Sequence, residues 1–266
     1  MATALSAETP ASVAHMIAGG SFVVHAAEAK EKPTPNGARA DYVDQATPTL
    51  ARFEVHRTTL LPGRMPHAAH RHEREEMMIV LHGRFEALLE EKKTPSSEGS
   101  VFFMASNDLH GVTNIGETPA TYLVLSFYVP PAKRDEPAAD ATSKTPLPST
   151  VWDWDKLPVK ASPDTDRRNL VDGPTRTMRR FEMHVTTLRP GAKTHGGKHP
   201  EEQFFVMKDG EMEAVVGGEA HRVSPGDLFF VASNQEFVWR LAGDKPATYY
   251  VVRFFTSATP EAPATH

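Results

Sequence analysis

The chain has 266 residues, of which 39% are hydrophobic and 24% are charged. This balance is typical of a folded globular protein, and the length allows one large domain or two small ones. The net charge of −5 is unusual for a protein that binds nucleic acid, so we expect no such partner. The chain has no cysteine, which excludes disulfides, thiol nucleophiles and cysteine-ligated metals, whereas its 13 histidines leave nitrogen ligands available.

The N-terminal region bears on localisation. No apolar run in the sequence approaches the roughly 18–20 residues that a membrane-spanning helix needs, so we expect no membrane partner. Residues 12–27 are mildly apolar and end near small residues, but they lack the basic segment that opens a signal peptide. We therefore expect a cytoplasmic protein, and export to the periplasm stays open as the alternative.

The chain contains an internal repeat. Residues 52–63 (RFEVHRTTLLPG) return as residues 180–191 (RFEMHVTTLRPG), at an offset of 128. Further along, Phe102-Phe103 return as Phe229-Phe230, at an offset of 127. A unit of about 105 residues is therefore present twice, which is the signature of a tandem architecture. The second copy has lost one residue between His195 and His199.

The repeat divides the chain into five predicted segments. We expect a leader arm over residues 1–20, a first barrel over 21–130, a linker over 131–148, a second barrel over 149–256 and a tail over 257–266. The linker is predicted because this stretch is rich in Pro, Ala, Asp and Lys, a composition that stays solvated.

Each unit is predicted to be all-β. Short apolar runs such as Met77–Leu81 and Val101–Met104 are followed or preceded by Gly turns, and residues 203–207 and 249–255 repeat the pattern in the second unit. No amphipathic helix longer than two turns is evident. Many short strands separated by turns predict a sandwich or a small barrel.

Candidate metal ligands lie in the first unit. His70 and His72 are two residues apart and Glu76 keeps the same parity, so one face of a strand would present all three. His110 would join them from a second strand. Three imidazoles and one carboxylate suit a divalent Mn, Fe, Co, Ni or Zn ion with one or two open positions. We therefore predict one such ion bound by His70, His72, Glu76 and His110.

These residues also carry a resemblance to the cupin superfamily. Its first signature, His-x-His-x3-Glu-x6-Gly, is matched by His70, His72, Glu76 and Gly83. Its second signature is matched by Gly99, His110 and Asn114, with Ala105 and Asn107 in place of a Pro and a Gly. Because both repeats are covered, the chain resembles a bicupin. The resemblance implies two tandem double-stranded β-helix (jelly-roll) barrels.

The second unit departs from this pattern. Three of the four ligand positions are changed, to Gly197, Gln203 and Phe237. Only His199, which aligns with His72, is retained. A single His beside a neutral Gln would bind a divalent ion weakly, so we expect a metal-free second barrel. The alternative is a different site built from His195, Glu201 and Glu202.

Several neighbouring residues have a structural and a functional interpretation. We expect Glu75, which has the opposite parity to the ligand carboxylate, to be solvated or paired with an Arg. His67 persists in both copies, so a structural role is favoured over an acid–base role. Asn114 either bonds near the site or caps a turn. Trp152 and Trp154 are expected to cover the second barrel.

Two function classes fit these observations. In the first, the protein is an enzyme acting on a small oxygen- or carboxylate-bearing metabolite, because a divalent ion with an open position polarises such groups or, if iron, activates O₂. The resemblance implies dioxygenase, decarboxylase, isomerase, lyase or aminohydrolase chemistry, and the layout is similar to ureidoglycine aminohydrolase, whose metal lies in the C-terminal barrel. In the second class, the protein binds or senses a small ligand and the metal is structural. A homodimer is compatible with either class.

Overall fold

The computed structural model describes residues 12–130 and 145–261. Parts of the predicted leader, linker and tail, residues 1–11, 131–144 and 262–266, lie outside the described residues. The structure is 54% strand and 4% helix, which confirms the all-β prediction. Over the described ranges, none of the helices combines the length and the apolar character that crossing a membrane requires.

Eleven strands lie within residues 12–130. They are β1 (Ala14–Met16), β2 (Phe22–Val24), β3 (Lys32–Thr34), β4 (Gly37–Gln45), β5 (Arg52–Leu60), β6 (Glu75–His82), β7 (Phe85–Leu89), β8 (Lys92–Ser96), β9 (Val101–Met104), β10 (His110–Asn114) and β11 (Ala120–Tyr128). Two 3-10 helices lie among them, at Ala18–Gly20 and Ala26–Glu28.

Eleven more strands lie within residues 145–261. They are β12 (Thr150–Trp152), β13 (Lys160–Ala161), β14 (Thr165–Gly173), β15 (Arg180–Leu188), β16 (His195–Lys198), β17 (Glu202–Asp209), β18 (Met212–Val216), β19 (Glu219–Val223), β20 (Leu228–Val231), β21 (Glu236–Leu241) and β22 (Ala247–Phe255). One 3-10 helix, Trp154–Lys156, lies between β12 and β13.

Each repeat builds one large and one small sheet. The first barrel has the sheets β12-β9-β6-β11-β5-β4-β3 and β10-β7-β8. The second barrel has the sheets β1-β2-β20-β17-β22-β15-β14-β13 and β16-β21-β18-β19. Two opposed antiparallel sheets per repeat form a jelly roll, which confirms the predicted pair of tandem barrels.

Each barrel takes an edge strand from the segment that precedes the other repeat. Strand β2 pairs with β20 of the second barrel, and β12 pairs with β9 of the first. The serine before each exchanged strand fixes it: Ser21 Oγ accepts the Ala232 N–H at 3.0 Å, and Ser149 Oγ accepts the Ala105 N–H at 2.9 Å. The division of the chain at residues 21 and 149 stays a prediction, and strand pairing crosses it at both ends.

The two large sheets pack face to face through buried aromatic rings. Phe53 and Phe127 of the first barrel meet Phe204 of the second, with ring centroids 5.5 and 6.2 Å apart. Phe181 lies 6.0 Å from Phe127, and all four side chains are buried. Aromatic rings bury large apolar areas, so the barrels share one hydrophobic core and form a single unit.

A glutamate of the first barrel reaches across the interface to the second. The Glu75 carboxylate accepts hydrogen bonds from the hydroxyls of Thr175 and Thr177, at 2.6 Å each, and from the backbone N–H of Arg176. The expectation that Glu75 is solvated or paired with an Arg side chain is wrong, because β6 begins at this residue and directs it into the other barrel, where it is 0% exposed. Burial raises the pKa of Glu75.

The two tryptophans after the linker lie against the first barrel rather than only the second. Trp152 ends β12, which pairs with β9. The backbone N–H of Trp154 donates to Ser100 Oγ at 3.0 Å, while Arg168 of the second repeat stacks on its ring at 4.3 Å. The expectation that these residues cover the second barrel is therefore incomplete: the exchanged strand carries them to the first barrel, while the Trp154 ring also contacts Arg168 and Lys208 of the second.

Candidate metal site

The predicted ligands lie on a loop and a facing strand of the first barrel. His70 and His110 form an isolated antiparallel bridge, and each backbone N–H donates to the carbonyl of the other at 3.0 Å. His72 follows in a loop, and β6 begins only at Glu75. The prediction of one strand that carries His70 and His72 on the same face is therefore wrong. A loop, rather than a strand, brings His70 and His72 close to each other.

Three imidazole rings converge at this point. One ring nitrogen each from His70, His72 and His110 lies within 4.8 Å of the others. The Nδ1 atoms of His72 and His110 lie 2.8 and 2.9 Å from the carbonyl oxygens of Arg74 and Asp108. A carbonyl only accepts, so these Nδ1 atoms carry the proton and each Nε2 presents a lone pair.

The converging nitrogens have no other partner. Nδ1 of His70 and Nε2 of His72 and His110 are buried, and none of them makes a hydrogen bond. Buried polar atoms are normally paired, so three orphaned nitrogens facing one point fit a metal ion. Imidazole nitrogen together with carboxylate oxygen is a donor set suited to Mn, Fe, Co, Ni or Zn.

Glu76 completes the arrangement from β6. Its Oε2 lies 3.3 Å from Nε2 of His72 and 3.7 Å from Nε2 of His110. Its Oε1 is held on the other side, where Arg74 Nε donates at 2.9 Å and Ser126 Oγ at 3.0 Å. The structure thus brings all four predicted residues together. It adds Arg74 and Ser126 as partners that orient the carboxylate.

The electrostatics of the cluster favour the ligating protonation states. Burial, together with the neighbouring His110, His67 and His72 rings, lowers the pKa of His70 to about 4. Burial also lowers the pKa of His110. Burial alone would raise the pKa of Glu76, but the adjacent His72 ring and the Arg74 charge hold it well below its usual range. Near neutral pH, His70 and His110 are therefore neutral imidazoles that face the Glu76 carboxylate.

A cavity of about 260 Å³ adjoins Glu76. Its lining includes Arg39, Glu54, His56, His67, Met78 and Tyr122. Arg39 donates to Glu54 Oε1 at 2.9 Å, and the His67 ring lies 4.4 Å from that of His70. Arg39 and Glu54 were not among the predicted site residues, although both recur in the second repeat as Arg167 and Glu182.

Two residues of the sequence signatures have structural roles. The Asn114 side chain donates to the carbonyls of Leu60 and Thr118, and it accepts the Gly116 N–H at 2.8 Å. Asn114 therefore caps a turn, one of its two predicted roles. Gly83 has φ of +87°, and a Cβ there would lie 2.5 Å from that of Ala120, so the turn after β6 requires glycine.

The equivalent region of the second barrel is filled differently. Aromatic rings occupy its interior, where Phe205 stacks on Trp239 at 4.6 Å and Phe237 stands in the place of His110. Within residues 12–130 and 145–261, the side chains that lie close enough in a group of three to hold a metal ion are those of His70, His72 and His110. A metal-free second barrel stays a prediction.

The chain belongs to the cupin family. The family model Cupin_2, described as a cupin domain, matches residues 56–126 and again residues 184–253. These two stretches together exceed half of the chain, and each coincides with one barrel. The predicted bicupin is confirmed by the two matches.

Known proteins share part of this sequence or the whole fold. L-ectoine synthase of Vibrio campbellii is 37% identical over 67 residues, which are 24% of this chain and 52% of that protein. The chain thus spans about half the length of the curated relatives it matches. The Ylba protein of E. coli has a TM-score of 0.68 at 14% identity, covering 95% of this chain and 97% of that one. Lactobacillus farciminis oxalate decarboxylase has a TM-score of 0.64 at 12% identity, covering 88% and 86%. The two solved structures share the fold of this chain.

Proposed function

We propose that this protein is an enzyme that acts on a small oxygen- or carboxylate-bearing metabolite at one divalent metal ion in the first barrel. His70, His72, Glu76 and His110 would hold the ion. The observation that supports this proposal is the convergence of three buried, unpartnered ring nitrogens beside a carboxylate oxygen. When bound, such an ion supplies Lewis-acid polarisation of a carbonyl or carboxylate, or activation of O₂ if it is iron.

Other residues around the site orient the Glu76 carboxylate and line the adjoining cavity. Arg74 and Ser126 fix Oε1 of Glu76, so that Oε2 stays directed at the histidines. Arg39 and His56 offer polar groups to a substrate in the adjoining cavity, and Met78 offers an apolar wall. A volume of about 260 Å³ is at the small end of ligand pockets, which favours a compact metabolite over a polymer.

We favour fewer reaction classes than the cupin fold alone allows. The local sequence match to L-ectoine synthase and the shared fold with oxalate decarboxylase favour lyase or decarboxylase chemistry on a small carboxylate. Dioxygenase and aminohydrolase chemistry are the alternatives. The segment over residues 12–27 lacks the basic start of a signal peptide, so we place the reaction in the cytoplasm.

Two measurements test the proposal. Elemental analysis of protein purified without added metal should find about one Mn, Fe, Co, Ni or Zn ion per chain, as expected of a site with one ligand set. The metal-loaded protein is then incubated with small carboxylates, keto acids and phenols, and products are followed by mass spectrometry. Turnover that is lost in His110→Ala supports the enzyme. A ligand that raises the melting temperature without yielding any product supports the binding or sensing alternative.

A further inference from the structure

A second set of unpartnered polar groups lies in the barrel that lacks the metal ligands. Gln203 on β17 occupies the position of Glu76 and is 1% exposed. Both Oε1 and Nε2 of its amide are buried without a hydrogen-bond partner. Buried amides are normally paired, because leaving one unpaired costs the whole desolvation of the group. The Gln203 amide therefore lacks a donor for its oxygen and an acceptor for its NH₂ group.

His199 presents a third unpartnered atom. Its Nδ1 lies 3.3 Å from Nη2 of Arg253, which only donates, so Nδ1 accepts and Nε2 carries the proton. That Nε2 is buried without a partner. Arg253 on β22 is the direct cross-strand neighbour of Gln203 on β17. The unpaired N–H of His199 and the unpaired amide of Gln203 thus belong to one cluster, connected through Arg253.

The cluster has space and an apolar wall. Gly197 stands where the first barrel has His70, and a Cβ at this glycine would meet only Nε2 of His199, at 3.5 Å. No side chain therefore stands at this position in place of the His70 ring, and a Cβ would fit here without a clash. Phe237 replaces His110, and its ring centroid lies 6.1 Å from that of His199.

The charges of the cluster cancel. Arg253 bonds Glu201 at 3.0 Å and Glu182 at 3.4 Å, and Arg167 also bonds Glu182, at 3.1 Å. Two cations face two anions, so neither sign of ligand is favoured. The unsatisfied groups are all neutral: one N–H on His199, and one NH₂ and one carbonyl oxygen on Gln203.

We propose that the second barrel is a metal-independent binding site for a small neutral molecule that carries a primary carboxamide. The carbonyl of the ligand accepts from Nε2 of His199 and Nε2 of Gln203, and its NH₂ donates to Oε1 of Gln203. The carbon skeleton of the ligand packs on Phe237. This site is separate from the proposed reaction, because it uses neither the metal nor the first barrel.

Saturation-transfer NMR on the full-length protein tests the site, with propionamide and propionate as the probes. Propionamide should receive saturation, and Gln203→Met should weaken its binding about tenfold or more, which corresponds to about 1.4 kcal/mol. Methionine keeps the length of the side chain and removes both polar atoms. His110→Phe in the first barrel is the matched control, and neither it nor chelation of metal should change the binding of propionamide.

Three outcomes overturn the proposal. Equal binding of propionamide to the wild type and Gln203→Met would show that the amide is not a contact. Tighter binding of propionate than of propionamide to the chelated His110→Phe protein, in which the first-barrel metal site is removed, would make this an anion site. No saturation of either probe would mean that the space holds only water. If Gln203→Met does not show a cooperative melt, His199→Phe replaces it as the test variant. This substitution keeps an aromatic ring and removes the N–H.

Discussion

Glu75 and Glu202 stand at equivalent positions of the two repeats, and each places its carboxylate against two threonine hydroxyls of the opposite barrel. Glu202 accepts from Thr47 at 2.7 Å and from Thr49 at 2.5 Å. Hydroxyl donors compensate only part of the cost of burying a carboxylate. Burial therefore raises the pKa of both groups, and that of Glu202 to about 7. We therefore expect the interface between the barrels to be sensitive to pH.

We expect the Glu202 carboxyl to make the protein less stable as the pH rises. Its folded pKa of about 7 lies above the unfolded value of 4.5, so its contribution is fully present below about pH 4.5 and is lost as the pH rises towards 7. Glu202→Gln should remove this dependence and should exceed the wild type in stability at pH 8, by a few kcal/mol at most.

Urea denaturation at pH 5 and pH 8 measures the effect of Glu202. The same substitution at the exposed Glu236 is the control and should leave the free energy of unfolding near that of the wild type. A Glu202→Gln protein with the same pH dependence as the wild type would contradict the assignment of the titration to this carboxyl.

Removing a predicted ligand should remove the metal. His72→Ala takes away one of the converging nitrogens, and it should reduce metal affinity by more than the roughly 10–100-fold that is typical of changes beyond the ligands. His199→Ala, at the equivalent position of the second barrel, should leave the metal content unchanged. Elemental analysis after dialysis gives the comparison. Equal metal loss in both variants would show that the second barrel contributes to binding.

Arg74 should act on metal binding only through Glu76. Its guanidinium holds Oε1 at 2.9 Å, so Arg74→Met should free the carboxylate to rotate and should weaken metal binding by about 10–100-fold. The control is Arg71→Met, since Arg71 is exposed and pairs with Glu90. Competition with a chelator of known affinity measures both variants, and an unchanged affinity in Arg74→Met would exclude this positioning role.

Chelation should lower stability without unfolding the barrel. Metal binding to the native state adds about 2.7 kcal/mol when the free metal is a hundredfold above its dissociation constant. Since about 1 kcal/mol shifts the melting temperature of a chain of this size by about 2–4 °C, we expect a loss of several degrees. The buried strands β6 and β9 supply the core without the ion. Collapse of the β circular-dichroism signal on chelation would instead assign the ion a folding role.

The two barrels and the close approach of the four candidate ligands were predictable, because both follow from local spacing along the chain. The interval between His70 and Glu76, and the absence of the same residues in the second copy, can be read directly along the chain. The repeat also located the strands, and β5, β6 and β9 lie within a few residues of the predicted segments. The two matches to the cupin family fall on the two repeats.

The remaining features depend on tertiary contacts that have no local signal. The apolar strand β2 suits either large sheet equally well, and only the geometry of the sheet edges decides that it pairs with β20. The burial of Glu75 depends on threonines about a hundred residues further along. Likewise, Arg74 matters because of the rotamer of its neighbour Glu76, which spacing alone does not specify.

The exchanged strands determine how a chain with only one repeat could complete its fold. Such a chain would carry, ahead of its barrel, a strand that in the two-repeat chain pairs with the other barrel. It could complete its own sheet only by exchanging that strand with a second copy. The product would be a domain-swapped homodimer. In the two-repeat chain the same exchange is intramolecular, and it takes place at the high effective concentration that a covalent connection provides. A cut between residues 130 and 145 would consequently leave two fragments that remain clasped, each holding a strand of the other.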